Sequence, residues 1–352
     1  MTAARICLTP RVSGVGGMVS FQHKLIAGLE QQGVAVTQDL DDPPYTAVLV
    51  IGGTRRLARL RQAGRAARIV QRLDGMNWLH RMGGRGAPRP TLRQYLRAEY
   101  GNLLLSLIRR RIAHAIVYQS DFSRAWWERV YRPAPAPARV IHNAVDLQQY
   151  TPAGPQTPPD DRWRVLMVEG SLTGGYEHGL QAAVALVDRL AARLEGSPLQ
   201  RPVELMVAGH VPDAVRRRWD SRPRPAASIH WAGLAERQAI PAIDRAAHLL
   251  YSSDIHPACP NAVIEALACG LPVLAFDTGA LPELVPAGAG QVVPYGGDAW
   301  QLDPPDIEAL TGAALQILSA GPALRQSARR HAEAHFGLEA MTAAYLAALT
   351  GA

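Results

Sequence analysis

Short apolar runs alternate with stretches of helical periodicity along most of this chain, and one Pro-, Gly- and Asp-rich segment, Thr151–Asp161, interrupts the rhythm. Parallel strands need a long crossover between them, usually a helix, so strand–helix alternation predicts parallel sheets with helices on their faces. Before the interruption, strand-like runs fall at Arg5–Thr9, Val34–Thr37, Ala47–Ile51, Arg68–Gln71, Ala115–Tyr118 and Arg139–Ile141. Helical patterns cover Val19–Gln32, Thr91–Ile112 and Phe122–Val130. After it, strands restart at Trp163–Val168 and recur at Val203–Ala208, Ser228–Trp231, His248–Ser252, Pro272–Phe276 and Gln291–Val293. Three helices, Ile307–Leu318, Ala323–His335 and Leu338–Leu349, close the chain. The fold class is therefore α/β, with two doubly wound, Rossmann-like domains at 1–150 and 160–335. The last helix, about 336–352, is expected to pack back on the first domain. Such folds bind ligands at the carboxyl ends of their strands, and two of them in series predict a cleft between the domains.

At 352 residues and 48 % apolar composition, the chain has material for two hydrophobic cores. No apolar run reaches the roughly 20 residues that span a bilayer. The opening residues lead straight into a strand without a signal-peptide pattern, and Cys7, Cys259 and Cys269 form neither a disulfide framework nor a metal spacing. A cytoplasmic protein without a zinc site is expected. The formal charge is +7, and among 37 basic residues Lys24 is the one lysine. That balance suits anionic partners such as nucleotide diphosphates or acidic lipid. The arginines are scattered and belong to no nucleic-acid-binding module, so nucleic acid is not expected.

Two motifs carry chemistry. The first is Ser13-Gly14-Val15-Gly16-Gly17-Met18, a glycine turn between the first strand and an amphipathic helix. Glycines there let a ligand approach the backbone, and the helix start offers free N–H groups to anions. A dinucleotide turn needs a third glycine where Val19 stands, although Asp39 could serve as the acidic ribose partner. A plain tight turn remains open as well. The second motif runs from Asp254 to Phe276. Pro260 suits the first position of a helix, Gly270 its stop, and Asn261 and Glu265 lie four apart on one face. A carboxylate accepts hydrogen bonds from paired hydroxyls while free amides of a first turn face a diphosphate, a combination suited to a ribose diphosphate.

Ile264-Glu265-Ala-Leu-Ala-Cys-Gly-Leu-Pro-Val273 and Thr278-Gly-Ala-Leu-Pro-Glu-Leu284 resemble the signature of the family-4 retaining glycosyltransferases of the GT-B fold (glycosyltransferase group 1). Ser13–Met18, Val140-Ile-His-Asn143-Ala-Val-Asp146 and Gly233 with Ile243–Ser252 resemble further family landmarks in the same order. The resemblance implies transfer of a sugar from a nucleotide-diphosphate-sugar to a glycan, lipid-linked or small-molecule acceptor, without a metal or other cofactor. It implies an acceptor-side first domain and a nucleotide-sugar-binding second domain. It carries the ribose-holding role to Glu265 and the donor phosphates to the backbone of Cys259, Pro260, Asn261 and Ala262. Gly16 and Gly17 would face the phosphates, and Asp74 would touch the donor sugar where the family commonly has a histidine.

The chain departs from the pattern at three further positions. Pro257 stands where the family's first glutamate binds sugar hydroxyls, with Asp254 and His256 as nearby substitutes. In Gly170-Ser171, serine replaces the arginine that meets the leaving diphosphate, and His178 stands where the lysine would be. Losing one such donor typically costs about 2.7–4 kcal/mol of transition-state stabilisation. Compensation is sought in the amides of Gly174–Gly175, in Arg11 or Arg72, or in a protonated His178. These departures keep other readings open: a GT-B protein that binds without catalysing, a nucleotide-sugar epimerase, or a nicotinamide oxidoreductase.

Thr91–His114 combines Arg93, Arg97 and Arg109–Arg111 with Tyr95, Leu96, Tyr100, Leu103–Leu105 and Ile108. This pattern fits a helix packed on the sheet with a basic edge, or a peripheral contact at the inner membrane face. Trp126-Trp127 fits core packing better than an acceptor platform.

Overall fold

The computed structural model describes residues 5–14, 16–82, 89–172, 177–223 and 227–352. Two compact units emerge. One comprises Met1–Arg81, Arg89–Asp146 and Phe336–Ala352, the other Met82–Pro88 and Leu147–His335.

In the first unit the elements are β1 (Arg5–Thr9), α1 (Gly17–Gln31), β2 (Ala35–Thr37), β3 (Ala47–Val50), α2 (Leu57–Ala63), β4 (Arg68–Leu73), α3 (Leu92–Arg111), β5 (Ala115–Tyr118), α4 (Asp121–Tyr131) and β6 (Ala138–Val140). The strands form one parallel sheet in the order β2-β1-β3-β4-β5-β6. β3 and β5 are short and apolar throughout, as a sheet covered on both faces requires, while β4 between them also buries Gln71 and Arg72. Both α3 and α4 start on a capping box, Thr91 with Gln94 and Ser120 with Ser123. Each box satisfies amides that a helix start leaves without partners.

The chain returns to this unit at its end. Val145 N–H donates to Phe336 O (2.9 Å), and Leu338 N–H donates to Val145 O (3.0 Å). The C-terminal helix, Leu338–Thr350, then lies on α1, with the Tyr345 and Phe21 ring centroids 5.2 Å apart. Gly28 makes that approach possible, because a Cβ there would sit 2.2 Å from Thr342 Oγ1.

The second unit contains β7 (Trp163–Ser171), α5 (Glu177–Leu194), β8 (Val203–His210), α6 (Asp213–Asp220), β9 (Ala227–Gly233), α7 (Ile240–Arg245), β10 (Leu249–Tyr251), α8 (Asn261–Ala268), β11 (Val273–Phe276), α9 (Leu281–Leu284), β12 (Gly290–Val293), α10 (Ile307–Ala320) and α11 (Pro322–His335). Its parallel sheet runs β12-β11-β10-β7-β8-β9. The core clusters α5 and α10 against β7, β8 and β10 through Leu180, Leu186, Leu190, Leu205, Leu310 and Ile317. Each such fully buried aliphatic side chain contributes about 1.5–3 kcal/mol.

Most strands and long helices lie where the periodicity places them, with ends moved by a residue or two. The long helix α5 falls between two expected strands, where the sequence reading names no helix. Four short helices, α2, α6, α7 and α9, were not foreseen either. Each has four to eight residues, too few for a helical period to stand out from chance. Trp126 and Trp127 are both buried, and Trp127 Nε1–H donates to Asp74 O (2.7 Å). That is core packing.

Candidate functional site

In the second sheet the chain starts at the centre, winds outward through β8 and β9, and then returns to add β10 on the other side of β7. The crevice at the carboxyl ends of β7 and β10 is thus the switch point where open α/β sheets bind ligands. Glu169, Gly170 and Ser171 end β7, and Ser252 to Pro260 lead from β10 into α8.

Local chemistry shapes α8. Pro260 occupies the N-cap rather than the first helical position, and the helix begins at Asn261. At the other end Gly270 adopts φ 69°. Its N–H donates to Leu267 O (3.0 Å), and Leu271 N–H donates to Ala266 O (2.8 Å). These two bonds form a Schellman cap, which needs glycine in the left-handed conformation. Val263, Ile264, Ala266 and Leu267 are buried completely. Glu265, spaced four from Asn261, is a carboxylate 7 % exposed. Behind it stands a second buried carboxyl, Asp244 of α7, held well above the usual carboxylate range by desolvation and then by the charge of Glu265.

The loop before α8 is tightly bound. Ala280 N–H donates to Pro257 O (2.9 Å), and a Cβ on Gly279 would lie 2.5 Å from Pro257 N. His256 takes φ 59°, is 8 % exposed, and stacks its ring 3.6 Å from the Trp300 ring at 17°. Cys259 is buried beside Pro260.

Two half-buried carboxyls occupy the switch point itself. Ser253 Oγ–H donates to Glu169 Oε1, tying the end of β7 to the loop after β10. Burial raises the Glu169 carboxyl well above its ordinary value, and the Asp254 charge pushes it further. Burial alone lifts Asp254 to about 6. Neither residue pair is visible as a motif, although Glu169 stands one position before Gly170 and could be suspected on position. Trp300 carries no sequence signal, because only the fold brings it to His256.

His178 is the second residue of α5, and burial lowers its imidazole below the ordinary value, with the Glu177 charge opposing. Desolvation disfavours the protonated His178 that was one of the compensations considered. Gly174–Gly175, another of the compensations considered, lies outside the described residues.

In the first unit, Gly16 (φ 133°) caps α1 and Gly17 opens it. Asp74 follows β4, and burial raises its carboxyl while the charge of Arg72 opposes this. Arg72 is 2 % exposed and lies 3.7 Å from the Phe21 ring centroid. Its Nη2–H donates to Asn143 Oδ1 (3.1 Å), while Nε and Nη1 meet no acceptor among the described residues. Asp39 is exposed beside Arg56, 3.6 Å away. The predicted residues therefore fall into two groups. Gly170, Ser171, His178, His256, Cys259, Pro260, Asn261, Ala262 and Glu265 belong to the second unit, whereas Gly16, Gly17 and Asp74 belong to the first.

Residues 164–320, which hold the switch point and α8, match the family model described as glycosyl transferases group 1. This stretch of the second unit is thus similar to group 1 glycosyl transferases. The whole chain has the GT-B fold shared by solved structures at low identity. The sucrose-phosphate synthase of Thermosynechococcus elongatus matches with a TM-score of 0.67 and 17 % identity, over 97 % of each chain. A glycosyltransferase of Rickettsia africae matches at 0.66 and 14 %, covering 98 % of this chain and 97 % of that one. HepE of Anabaena, solved with UDP and glucose, matches at 0.64 and 16 %, covering 99 % and 100 %. No curated protein sequence matches this chain.

The carboxyl pair of this switch point gives a pH prediction. Both groups have folded-state values above their unfolded ones, so their contribution to stability is complete below the unfolded values. It is lost as pH rises through the folded values. Glu169→Gln keeps an acceptor for Ser253 and removes the ionisation. It should raise the melting temperature by several degrees at pH 8 and change it little at pH 4, since about 1 kcal/mol moves the melting point by roughly 2–4 °C in a unit this size. Scanning fluorimetry of both proteins across that range checks it. An equal shift at both pH values would show that the carboxyl's ionisation is not the cause.

Proposed function

We propose that the protein is a cytoplasmic glycosyltransferase that moves a sugar from a nucleoside-diphosphate sugar to an acceptor hydroxyl, with retention at the anomeric carbon. The observation that carries this reading is Glu265, buried on the first turns of α8 beside the switch point of a stretch similar to group 1 glycosyl transferases. Its carboxylate would accept both ribose hydroxyls, and the amides at the start of α8 would face the diphosphate. HepE was solved with UDP and glucose, and the pneumococcal O-GlcNAc transferase GtfA with UDP and GlcNAc, which supports a nucleotide at this edge here.

No carboxylate in the pattern is placed as a nucleophile. Retention then follows when the acceptor attacks from the face that the diphosphate leaves, and the departing phosphate oxygen takes the acceptor proton. The protein aligns the reactants and stabilises charge on the leaving group. With serine at 171 and a neutral imidazole favoured at 178, that stabilisation rests mainly on backbone amides.

Glu265→Ala is expected to weaken UDP, GDP or ADP binding about 100-fold, the loss of two charge-assisted hydrogen bonds. Isothermal titration checks it, and an unchanged affinity in a folded variant would remove the ribose assignment. The same two positions favour a second reading, binding without turnover. It is distinguished by incubating the protein with the nucleotide-sugar it binds best and finding no release of nucleotide diphosphate, with or without acceptors.

A further inference from the structure

Seven large apolar side chains are strongly exposed among the described residues, and five of them lie on α3. Leu92 (74 %), Leu96 (58 %), Tyr100 (49 %) and Leu103 (61 %) are spaced four, four and three apart. At 100° per residue that spacing forms one stripe along one face. The later turns of the helix are already used: Asn102, Leu104, Ser106, Ile108 and Arg109 are buried, and Leu105 O accepts from Gln71 Nε2 (3.1 Å) on the sheet. The fold thus packs the second half of α3, while Leu92–Arg97 is exposed throughout.

Charge surrounds the exposed stripe. Arg93, Arg97, Arg110 and Arg111 are all exposed, and the Arg55 guanidinium lies 5.9 Å from the Tyr100 ring. The one acid of the helix, Glu99, is engaged by Arg81 (2.6 Å) and His80 (2.9 Å), which holds its carboxyl down at about 2. An apolar stripe of this kind on a soluble surface usually marks an interaction site. A rim of arginine with no unpaired acid selects a partner whose surface is negative.

We propose that the free face of α3 docks on the anionic surface of a lipid bilayer, with the leucines entering the headgroup boundary and the arginines meeting lipid phosphates. Interfacial helices bind through this combination of apolar area and cationic flank. A second copy of the chain is disfavoured as occupant, because it would set these arginines against the same set. Among the described residues no single helix is long and apolar enough to cross a membrane, so the contact lies in the surface plane. It does not depend on the reaction proposed above.

The test is flotation of the full chain with phosphatidylcholine vesicles prepared with and without phosphatidylglycerol. Wild type should float with the anionic vesicles and far less with the neutral ones. Leu96→Ser with Leu103→Ser, and separately Arg93→Gln with Arg97→Gln, should each weaken binding about tenfold or more. All four side chains are exposed, so melting temperatures should stay unchanged. Wild type that ignores anionic vesicles would overturn the proposal. So would leucine variants that bind like wild type, since diffuse attraction of a +7 chain would then suffice. A dimer that the leucine variants convert to monomer would overturn it in favour of a second copy.

Discussion

Arg329→Ala is expected to cost about 3–5 kcal/mol of stability in the second unit. One guanidinium on α11 makes four bonds there. Nη1–H donates to Tyr150 O and Ala268 O, each at 2.6 Å, Nη2–H donates to Leu147 O (3.0 Å), and Nε–H meets Glu333 (2.7 Å). Ala268 is the last residue of α8, so the cation also faces the negative end of that helix dipole. Truncation leaves three carbonyls without their donor, and charge-assisted bonds of this type contribute about 1.5–3 kcal/mol each. Because α8 carries Glu265, nucleotide affinity should fall with stability. Urea unfolding of the variant beside Arg330→Ala, an exposed neighbour on the same helix, checks the value. A loss below 1 kcal/mol would mean that water replaces the guanidinium adequately.

Gly279→Ala should cost about 3 kcal/mol or more, and Gly33→Ala only about 1 kcal/mol. Both glycines have positive φ, 60° and 74°, and Gly33 ends α1 in a Schellman cap. A Cβ at Gly33 meets nothing within 4 Å, whereas one at Gly279 lies 2.5 Å from Pro257 N and 2.6 Å from Pro257 O. The difference between the two variants therefore isolates the backbone clash from the conformational penalty. Relief of that clash moves Pro257 and with it the loop that places His256 and Cys259, so Gly279→Ala should also weaken nucleotide binding. Melting curves and titrations of both variants decide it, and equal losses would show that the turn yields without disturbing the loop.

Pro257 itself explains a departure that the sequence left unexplained. A glutamate at this position would present a charged side chain, while proline instead packs on the Gly279 turn and fixes the loop by shape. The acids of the switch point, Asp254 and Glu169, hold protons more firmly than exposed carboxyls do.

Much of this was legible because it is local. The apolar runs of β3, β5 and β11 and the Gly270 stop involve residues within a few positions of each other. Backbone chemistry within one turn of chain determines them whatever the rest does. The placement of Glu265 on one face with Asn261 is legible for the same reason. Tertiary structure decided what depends on distant partners. Glu169 meets Ser253 across 84 positions, Arg329 reaches Leu147 across 182, and Trp300 reaches His256 only through the fold. Nor does periodicity reveal which turns of α3 the sheet covers, since apolar residues recur along its whole length. That choice belongs to packing, where burial is shared among elements that no short stretch of sequence contains.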